Sequence, residues 1–212
     1  MLVIIQTRSS SKRFKNEILF PIYGIPLIEH VIKKVKKSKN KIKIVVSTSL
    51  EKSDDKLVKY LRKNQINFFR GSLNNVALRL YSTAKKYKSK YFVRINGDSP
   101  LFDSRILDKA LLLKKKYKGY DLITNVYPRT FPKGQSVEII KTNLILKYLN
   151  KFNLQNKEHV TSFFYENSKD FKIKNFINKY KYNSLKLSVD TIFDLNRIKK
   201  KIKQNKFKNF KL

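Results

Sequence analysis

The chain has no cysteine and no tryptophan, one methionine, two histidines, and five each of glycine and proline among its 212 residues. Without cysteine there is no disulfide framework, no thiolate zinc site and no cysteine nucleophile. Long apolar runs are missing as well. The opening Met1 to Ile5 is too short for the apolar segment of a signal peptide, and nothing approaches the roughly 20 apolar residues that a membrane span needs. A cytoplasmic protein without a membrane span is the expectation. Acidic residues are scarce too, 15 against 49 lysines and arginines, leaving a formal net charge of +34.

That charge has two readings. It suits a polyanionic partner such as nucleic acid or an anionic membrane surface. It also suits a coding bias, because the lysines are spread over nearly every segment beside many Asn, Ile, Phe and Tyr, as AT-rich codons would give. The one concentrated basic run is Lys199 to Lys211, and such runs are usually solvated helix faces or frayed ends. The aromatics fit apolar faces rather than a basic groove, which argues against a specific nucleic-acid partner. A 41% hydrophobic content suffices for one sizeable core. The expectation is one α/β domain over 1–212, with a basic C-terminal helix or tail at about 198–212.

Strand and helix patterns alternate. Leu2 to Thr7 reads as a buried strand, Leu27 to Lys37 as an amphipathic helix behind Pro26, Ile42 to Ser47 as a strand, Asp54 to Asn64 as a helix and Ile66 to Phe69 as a strand. A helix over about Asn75 to Lys88 leads into the strand Tyr91 to Ile95, which ends in the turn Asn96-Gly97-Asp98-Ser99-Pro100. Then come a helix at Ile106 to Tyr117, strands at Asp121 to Thr124 and Val137 to Ile140, helices at Thr142 to Asn150 and His159 to Asn167, and a weak strand at Phe171 to Phe176. Lys186 to Val189 reads as a last strand, and Thr191 as the N-cap of a terminal helix, with Asp194 at capping-box spacing. Such alternation implies a mostly parallel sheet with helices on both faces. In these sheets ligands bind beyond the carboxyl ends of the strands, so the candidate site is formed by the loops after Thr7, Phe69, Ile95, Thr124 and Val189.

The first of these loops gathers Gln6, Arg8, Ser9, Ser10, Ser11, Lys12 and Arg13, hydroxyls and cations suited to a triphosphate. It has no glycine, so it is neither a Walker loop nor a dinucleotide fingerprint; a merely solvated polar loop is the alternative. Lysine is the default cation and there are only nine arginines. Four of them, Arg8, Arg13, Arg70 and Arg129, fall in loops at strand carboxyl ends, where a planar fork suits phosphate or carboxylate. Two aspartates directly after strands, Asp98 and Asp190, pair well with Mg²⁺, which takes one or two carboxylates plus substrate phosphates. Ordinary turn and cap chemistry accounts for them equally. His30 lies on an apolar helix face and reads as structural; His159, in Glu158-His159-Val160-Thr161, is a candidate for substrate contact.

Taken in order, Ile4-Ile5-Gln6-Thr7-Arg8-Ser9-Ser10-Ser11-Lys12-Arg13-Phe14, Pro21 through His30, Arg70-Gly71-Ser72, Val93 through Leu101, Asn125 through Arg129, Gly134 through Glu138, Glu158 through Thr161 and Val189-Asp190-Thr191 resemble the cytidylyltransferase family. That family includes CMP-sugar-acid synthetases and, closer to this chain, a spore coat polysaccharide biosynthesis branch. The resemblance implies a Rossmann-like nucleotide-diphospho-sugar transferase fold and a Mg²⁺-dependent reaction of CTP with a sugar, sugar phosphate or sugar acid, serving cell-surface polysaccharide synthesis. It places Arg8, Ser11 and Arg13 on the triphosphate, with Gln6, Thr7, Ser9, Ser10, Lys12, Arg70, Asn96 and Gly97 around the nucleotide. Asp98 and Asp190 fall on the metal, and Arg129, Gln135, Glu138, Glu158 and His159 on the sugar side. Family members often pair as dimers through the region after the fifth strand, so a homodimer is implied.

The chain departs from the family where Lys15, Asn16 and Glu17 replace the usual proline, glycine and lysine. Glu17 would repel a triphosphate, which bears on activity. The family often has an aspartate where Ser136 stands. Two alternatives stay open: a transferase using another nucleoside triphosphate, and a nucleotide-sugar or polyanion binder that has lost catalysis.

Overall fold

In the computed structural model, which describes residues 1–10, 14 and 17–204, the first strand β1 (Leu2–Gln6) sits at the middle of the sheet. Leu2, Val3, Ile4 and Ile5 are all buried. Their side chains alternate between two separate cores: Val3 and Ile5 enter one, Leu2 and Ile4 the other. A strand covered on both faces must be apolar throughout, and this run is.

Four two- to seven-residue strands and three helices follow: the hairpin β2 (Pro21–Ile22) and β3 (Ile25–Pro26), α1 (Leu27–Val35), β4 (Lys43–Ser49), α2 (Asp55–Lys63), and after β5 (Phe68–Gly71) α3 (Val76–Lys86). Then come β6 (Tyr91–Asn96), α4 (Ser104–Lys116), β7 (Leu122–Thr124), β8 (Glu138–Lys141), α5 (Thr142–Tyr148), α6 (Leu154–Glu158), α7 (Ser162–Glu166), β9 (Ile173–Asn175) and α8 (Ile192–Lys203). The sheet order is β5-β4-β1-β6-β8-β7-β9, and β8 is the one strand running against the rest. Val46, Val93, Ile95 and Ile139 join the core under α1, α2, α4 and α8. Val45, Phe92 and Ile140 join the core under α3, α5 and α7, which is filled by the interlocking rings of Tyr148, Phe152, Phe163, Phe164 and Phe171. The expected mostly parallel sheet with helices on both faces is the observed one.

Three local expectations need correction. Lys186 to Val189 is not a strand: its one bridge is Lys186 to Lys133, and its Val189 N–H donates to Asp98 O at 2.9 Å instead. The segment passes so close to Gly134 that a Cβ there would come within 2.7 Å of Leu187. Of the helix expected over His159 to Asn167 only Ser162–Glu166 is helical, as α7; the short α6 precedes it and His159 is its C-cap. The β2–β3 hairpin was not foreseen; its turn residues Tyr23 and Gly24 both have positive φ, as a tight two-residue hairpin requires. Thr191 does cap α8, accepting from the Asp194 N–H at 3.2 Å. Of the basic segment expected at about 198–212, residues 205–212 lie outside the described residues, as do Ser11, Lys12 and Arg13. No helix among the described residues is long and apolar enough to cross a membrane.

Asp54 ties the end of β4 to the loop that leaves β1. It is fully buried and accepts from Ser9 N at 2.6 Å, Thr48 Oγ1 at 2.8 Å and Ser49 N at 2.8 Å, with the Ser49 hydroxyl also on it. Burial alone would raise its pKa, but these hydrogen bonds outweigh it and hold the carboxyl below its ordinary value of 3.8. A depressed carboxylate stabilises the fold above its unfolded pKa and loses that contribution as pH falls through the folded one. Asp54→Asn is therefore expected to cost about 2–3 kcal/mol at pH 7. Urea unfolding should show this loss, and should show the variant's stability varying less than the wild type's between pH 5 and 3.

Candidate active site at the carboxyl edge of the sheet

The ends of β1 and β6 lie side by side, Gln6 opposite Asn96. The chain leaving β1 is fixed by Thr7 N–H to Ser47 O at 3.0 Å, and the turn after β6 by Gly97 N–H to Gln6 O at 2.8 Å. A Cβ on Gly97 would fall 2.7 Å from that of Thr7, so only glycine lets the two exits run together. Between these exits and α6 lies a cavity of ≈ 200 Å³. Its walls include Gln6, Thr7 and Arg8 from the first loop, Asn96, Gly97 and Asp98 from the turn after β6, Glu158 and His159 from the end of α6, and Asp190 before α8. These are nine of the residues expected from sequence. Glu17 lines the same cavity.

Asp98 and Asp190 face this space from two chain segments joined by the Asp98 to Val189 backbone bond. Burial pushes the Asp98 carboxyl up to about 6, and Asp190 adds to the rise, while the Ser99 hydroxyl and Arg94 oppose it. Ser99 Oγ donates to Asp98 Oδ1 at 2.7 Å. Asp190 is bridged to Lys186 at 2.6 Å, which also reaches Asp194 at 2.6 Å. Among the described residues no group of three or more carboxylates, histidines or cysteines is placed to hold a metal. Across the cavity mouth, Arg8 Nη2 pairs with Glu158 Oε1 at 2.8 Å.

A second cavity of ≈ 320 Å³ adjoins the first, and Arg94, Asn96 and His159 border both. Its other walls include Arg129, Ser136, Glu138, Thr161 and Tyr165. Because β8 runs against β6, its first residue Glu138 lies opposite Arg94. The two form an ion pair, both nearly buried, and Arg94 Nε also donates to Gln6 Oε1 at 2.7 Å. Thr161 Oγ1 at 2.6 Å and the Tyr165 hydroxyl at 2.7 Å donate to Glu138. Burial works against the Glu138 carboxylate, yet the Arg94 charge and these hydrogen bonds lower its pKa below 4.5. The same neighbourhood raises the Tyr165 phenol well above its ordinary value, burial first and Glu138 second. Arg129 reaches Ser136 Oγ with both Nη groups at 3.1 Å, and burial depresses its pKa.

Two expected residues are elsewhere. Arg70 does not face the cavities: Nε donates to Ser49 O at 2.8 Å, Nη2 to Glu51 O at 3.0 Å, and Nη1 pairs with Asp55 at 2.8 Å, so its fork clamps β5 to the start of α2. Gln135 is fully buried, its amide donating to Leu101 O at 2.8 Å and accepting from Asp103 N at 2.9 Å. It braces the loop after Asp98. Ser9 and Ser10 are placed in the β1 loop, Ser9 with its N–H on Asp54. Arg94 on β6, Tyr165 on α7 and Arg79 on α3 are among the wall residues that went unforeseen. Strand and helix positions drew less attention than loops, although the rarity of arginine singles out both Arg79 and Arg94.

Residues 2–209 match the family described as cytidylyltransferase. A cytidylyltransferase from Leptospira borgpetersenii serovar Hardjo-bovis is similar in structure, with a TM-score of 0.90 and 31% identity over 99% of this chain and 88% of that one. The spore coat polysaccharide biosynthesis protein SpsF of Bacillus subtilis is 26% identical over 94% of this chain and 85% of its own. A CMP:2-keto-3-deoxy-manno-octonic acid synthetase complexed with CTP shares the fold alone, at 12% identity and a TM-score of 0.75 over 96% of this chain and 98% of that one.

The Arg94–Glu138 pair yields a direct prediction. Glu138→Gln leaves a buried guanidinium without its counter-charge, which costs about 3–5 kcal/mol when one partner of a buried pair is removed. Chemical unfolding of Glu138→Gln against wild type measures the loss; a change under about 1 kcal/mol would mean that solvent reaches the pair.

Proposed function

The chain belongs to the cytidylyltransferase family, and we propose that it activates a sugar acid, sugar or sugar phosphate with CTP, releasing pyrophosphate. The observation that carries this reading is the pair of adjoining cavities that share Arg94, Asn96 and His159. One has the carboxylate pair and Arg8, the other Arg129 and Tyr165. Two substrates held in neighbouring chambers meet at the shared wall, which is what a transfer between them requires.

In this reading the nucleotide occupies the first cavity. Arg8 exchanges Glu158 for phosphate oxygens, since a guanidinium gains more from a polyphosphate than from one exposed carboxylate. Ser11, Lys12 and Arg13, next in sequence, lie outside the described residues. Asp98 and Asp190 suit Mg²⁺, because two carboxylates flanking a phosphate site match its preference for few protein ligands and several phosphate oxygens. Bound there, the metal would supply neutralisation of the developing phosphate charge.

The acceptor occupies the second cavity, where Arg129, held by the Ser136 hydroxyl and the Pro132 carbonyl, offers a cation suited to a carboxylate or phosphate. Its oxygen attacks the α-phosphorus as the bond to pyrophosphate breaks, and the acceptor's proton leaves with that step. His159 lines both cavities, and in this reading it receives that proton. The family relationship to SpsF supports cell-surface polysaccharide synthesis as the setting.

Pyrophosphate release with CTP, Mg²⁺ and a panel of sugar acids and sugar phosphates tests this reading. Asp98→Ala is expected to lower the rate by about 10²–10³, and Arg8→Ala to weaken CTP binding. No release with any nucleoside triphosphate and any acceptor would reject the assignment. Glu17 shares the phosphate cavity, so Glu17→Gln should tighten CTP binding by roughly fivefold, the worth of about 1 kcal/mol of repulsion relieved near solvent; titration calorimetry measures it.

A further inference from the structure

A third cavity, of ≈ 340 Å³, lies apart from the first two, among α1, α4 and α8. His30, Lys34 and Lys37 line it from α1 and the turn beyond, Arg105 from α4 and Lys201 from α8. Positions 30, 34 and 37 recur at helical spacing, so one stripe of α1 faces this space. Lys34 and Lys201 are half-buried there. Lysines near helix carboxyl ends ordinarily answer the helix dipole from solvent. Here cations from three helices turn into one concave space instead.

The one carboxylate in its wall is Asp103, and that group is already engaged. Arg105 reaches it with Nε at 3.1 Å and Nη2 at 2.6 Å, and its Oδ1 accepts from the Arg105 N–H at 3.0 Å as the cap of α4. Lys34, Lys37 and Lys201 form no ion pair among the described residues. Burial first and the Lys37 charge second draw the Lys34 pKa below its ordinary 10.5, with Asp103 opposing. Like charges held together in this way carry a cost that a bound anion removes. The wall beneath them is firm. Leu101 and Phe102 are buried, the Phe102 N–H donates to Ser99 O at 3.0 Å, and the Gln135 amide clamps Leu101 O and the Asp103 N–H. A wall fixed beforehand loses little freedom when a ligand arrives.

We propose that this cavity binds a phosphate group, held by Lys34, Lys37 and Lys201. Ammonium groups arriving from separate helices suit a compact tetrahedral anion with oxygens on every side, whereas a carboxylate offers one planar edge and suits a guanidinium fork. Nucleic acid fits poorly, because its backbone tracks an open basic groove with aromatics for the bases to stack on, and the one Phe or Tyr in this wall is the buried Phe102. A phosphate group comes free or as the ester of a small metabolite, and a space at the small end of the roughly 300–1,000 Å³ range of ligand sites admits either. The site stands apart from the two cavities of the transferase reading and does not depend on that reading.

The chain's two histidines report the two regions separately, His30 in this cavity and His159 in the first and second. The His30 ring is anchored by Nε2–H donating to Ile22 O at 3.1 Å, so its signals follow the local field. Ring-proton NMR of the purified protein at fixed pH, titrated with inorganic phosphate and separately with glucose 6-phosphate, tests the proposal; sodium chloride at matched ionic strength and plain glucose are the controls. The His30 signals are expected to follow a saturable curve with a midpoint near or below about 1 mM. Lys34→Gln and Lys201→Gln are each expected to raise that midpoint at least about fivefold, as loss of a charge-assisted hydrogen bond does, with the His159 response unchanged. Saturation by either anion supports the site, and the two midpoints tell free phosphate from ester. A His30 drift no larger than chloride or glucose gives overturns it, and wild type alone decides that. A midpoint unmoved in both lysine variants also overturns it, since the shift is then relayed from the first cavity.

Discussion

The pairing of β1 with β4 on one side and β6 on the other, with both of its faces covered, sets the position of everything at the carboxyl edge. Four consecutive apolar residues split between two cores, and a slip of one residue would send each of them to the wrong core. That locks Gln6 beside Ser47 and Asn96. The two loops that follow therefore emerge from a rigid base, and Gly97 removes the one atom that would hold them apart. Buried strands hold functional loops more firmly than the loops' own contacts could.

The charge distribution has a second logic. Few carboxylates exist in this chain, yet Asp54, Glu138 and Asp194 are buried and Asp98 and Asp190 border the cavity. Each buried one is answered by hydrogen bonds or a cation. The lysines, dispersed over the exterior, create a broad positive field that raises the local concentration of anionic substrates, an effect that salt screens beyond about 8–10 Å. Recognition at short range falls to arginines fixed by packing. The two scales share the work without requiring a nucleic-acid partner.

Much of this was legible in the sequence because it follows from period and position. The βαβ alternation gave the sheet and its two-sided covering, and the rule that ligands bind at strand carboxyl ends led to Arg8, Asp98 and Asp190. What escaped was set by distant chain. Lys186 to Val189 has strand composition but meets the backbone of Lys133 and Asp98 in place of a full ladder. Arg70 sits where a phosphate ligand would, and its fork is taken by three acceptors at the start of α2 and the end of β4. Gln135 lies directly before the cavity-lining Ser136, its own side chain fully buried. Arg79 and Arg94 occupy positions inside a helix and a strand, where a charged residue gives no local sign of whether it points to solvent or to a ligand.

The reversed strand β8 has a consequence for how such a protein changes over time. It enters the sheet beside β6 and carries Glu138 to the second cavity at its very first residue, so the loop from Asn125 to Val137 hangs between two fixed points. Insertions or exchanges in that loop can reshape the second cavity while β1, β6 and α3, which line the first, stay as they are. One half of the molecule is thus free to change its lining, and the other keeps its own.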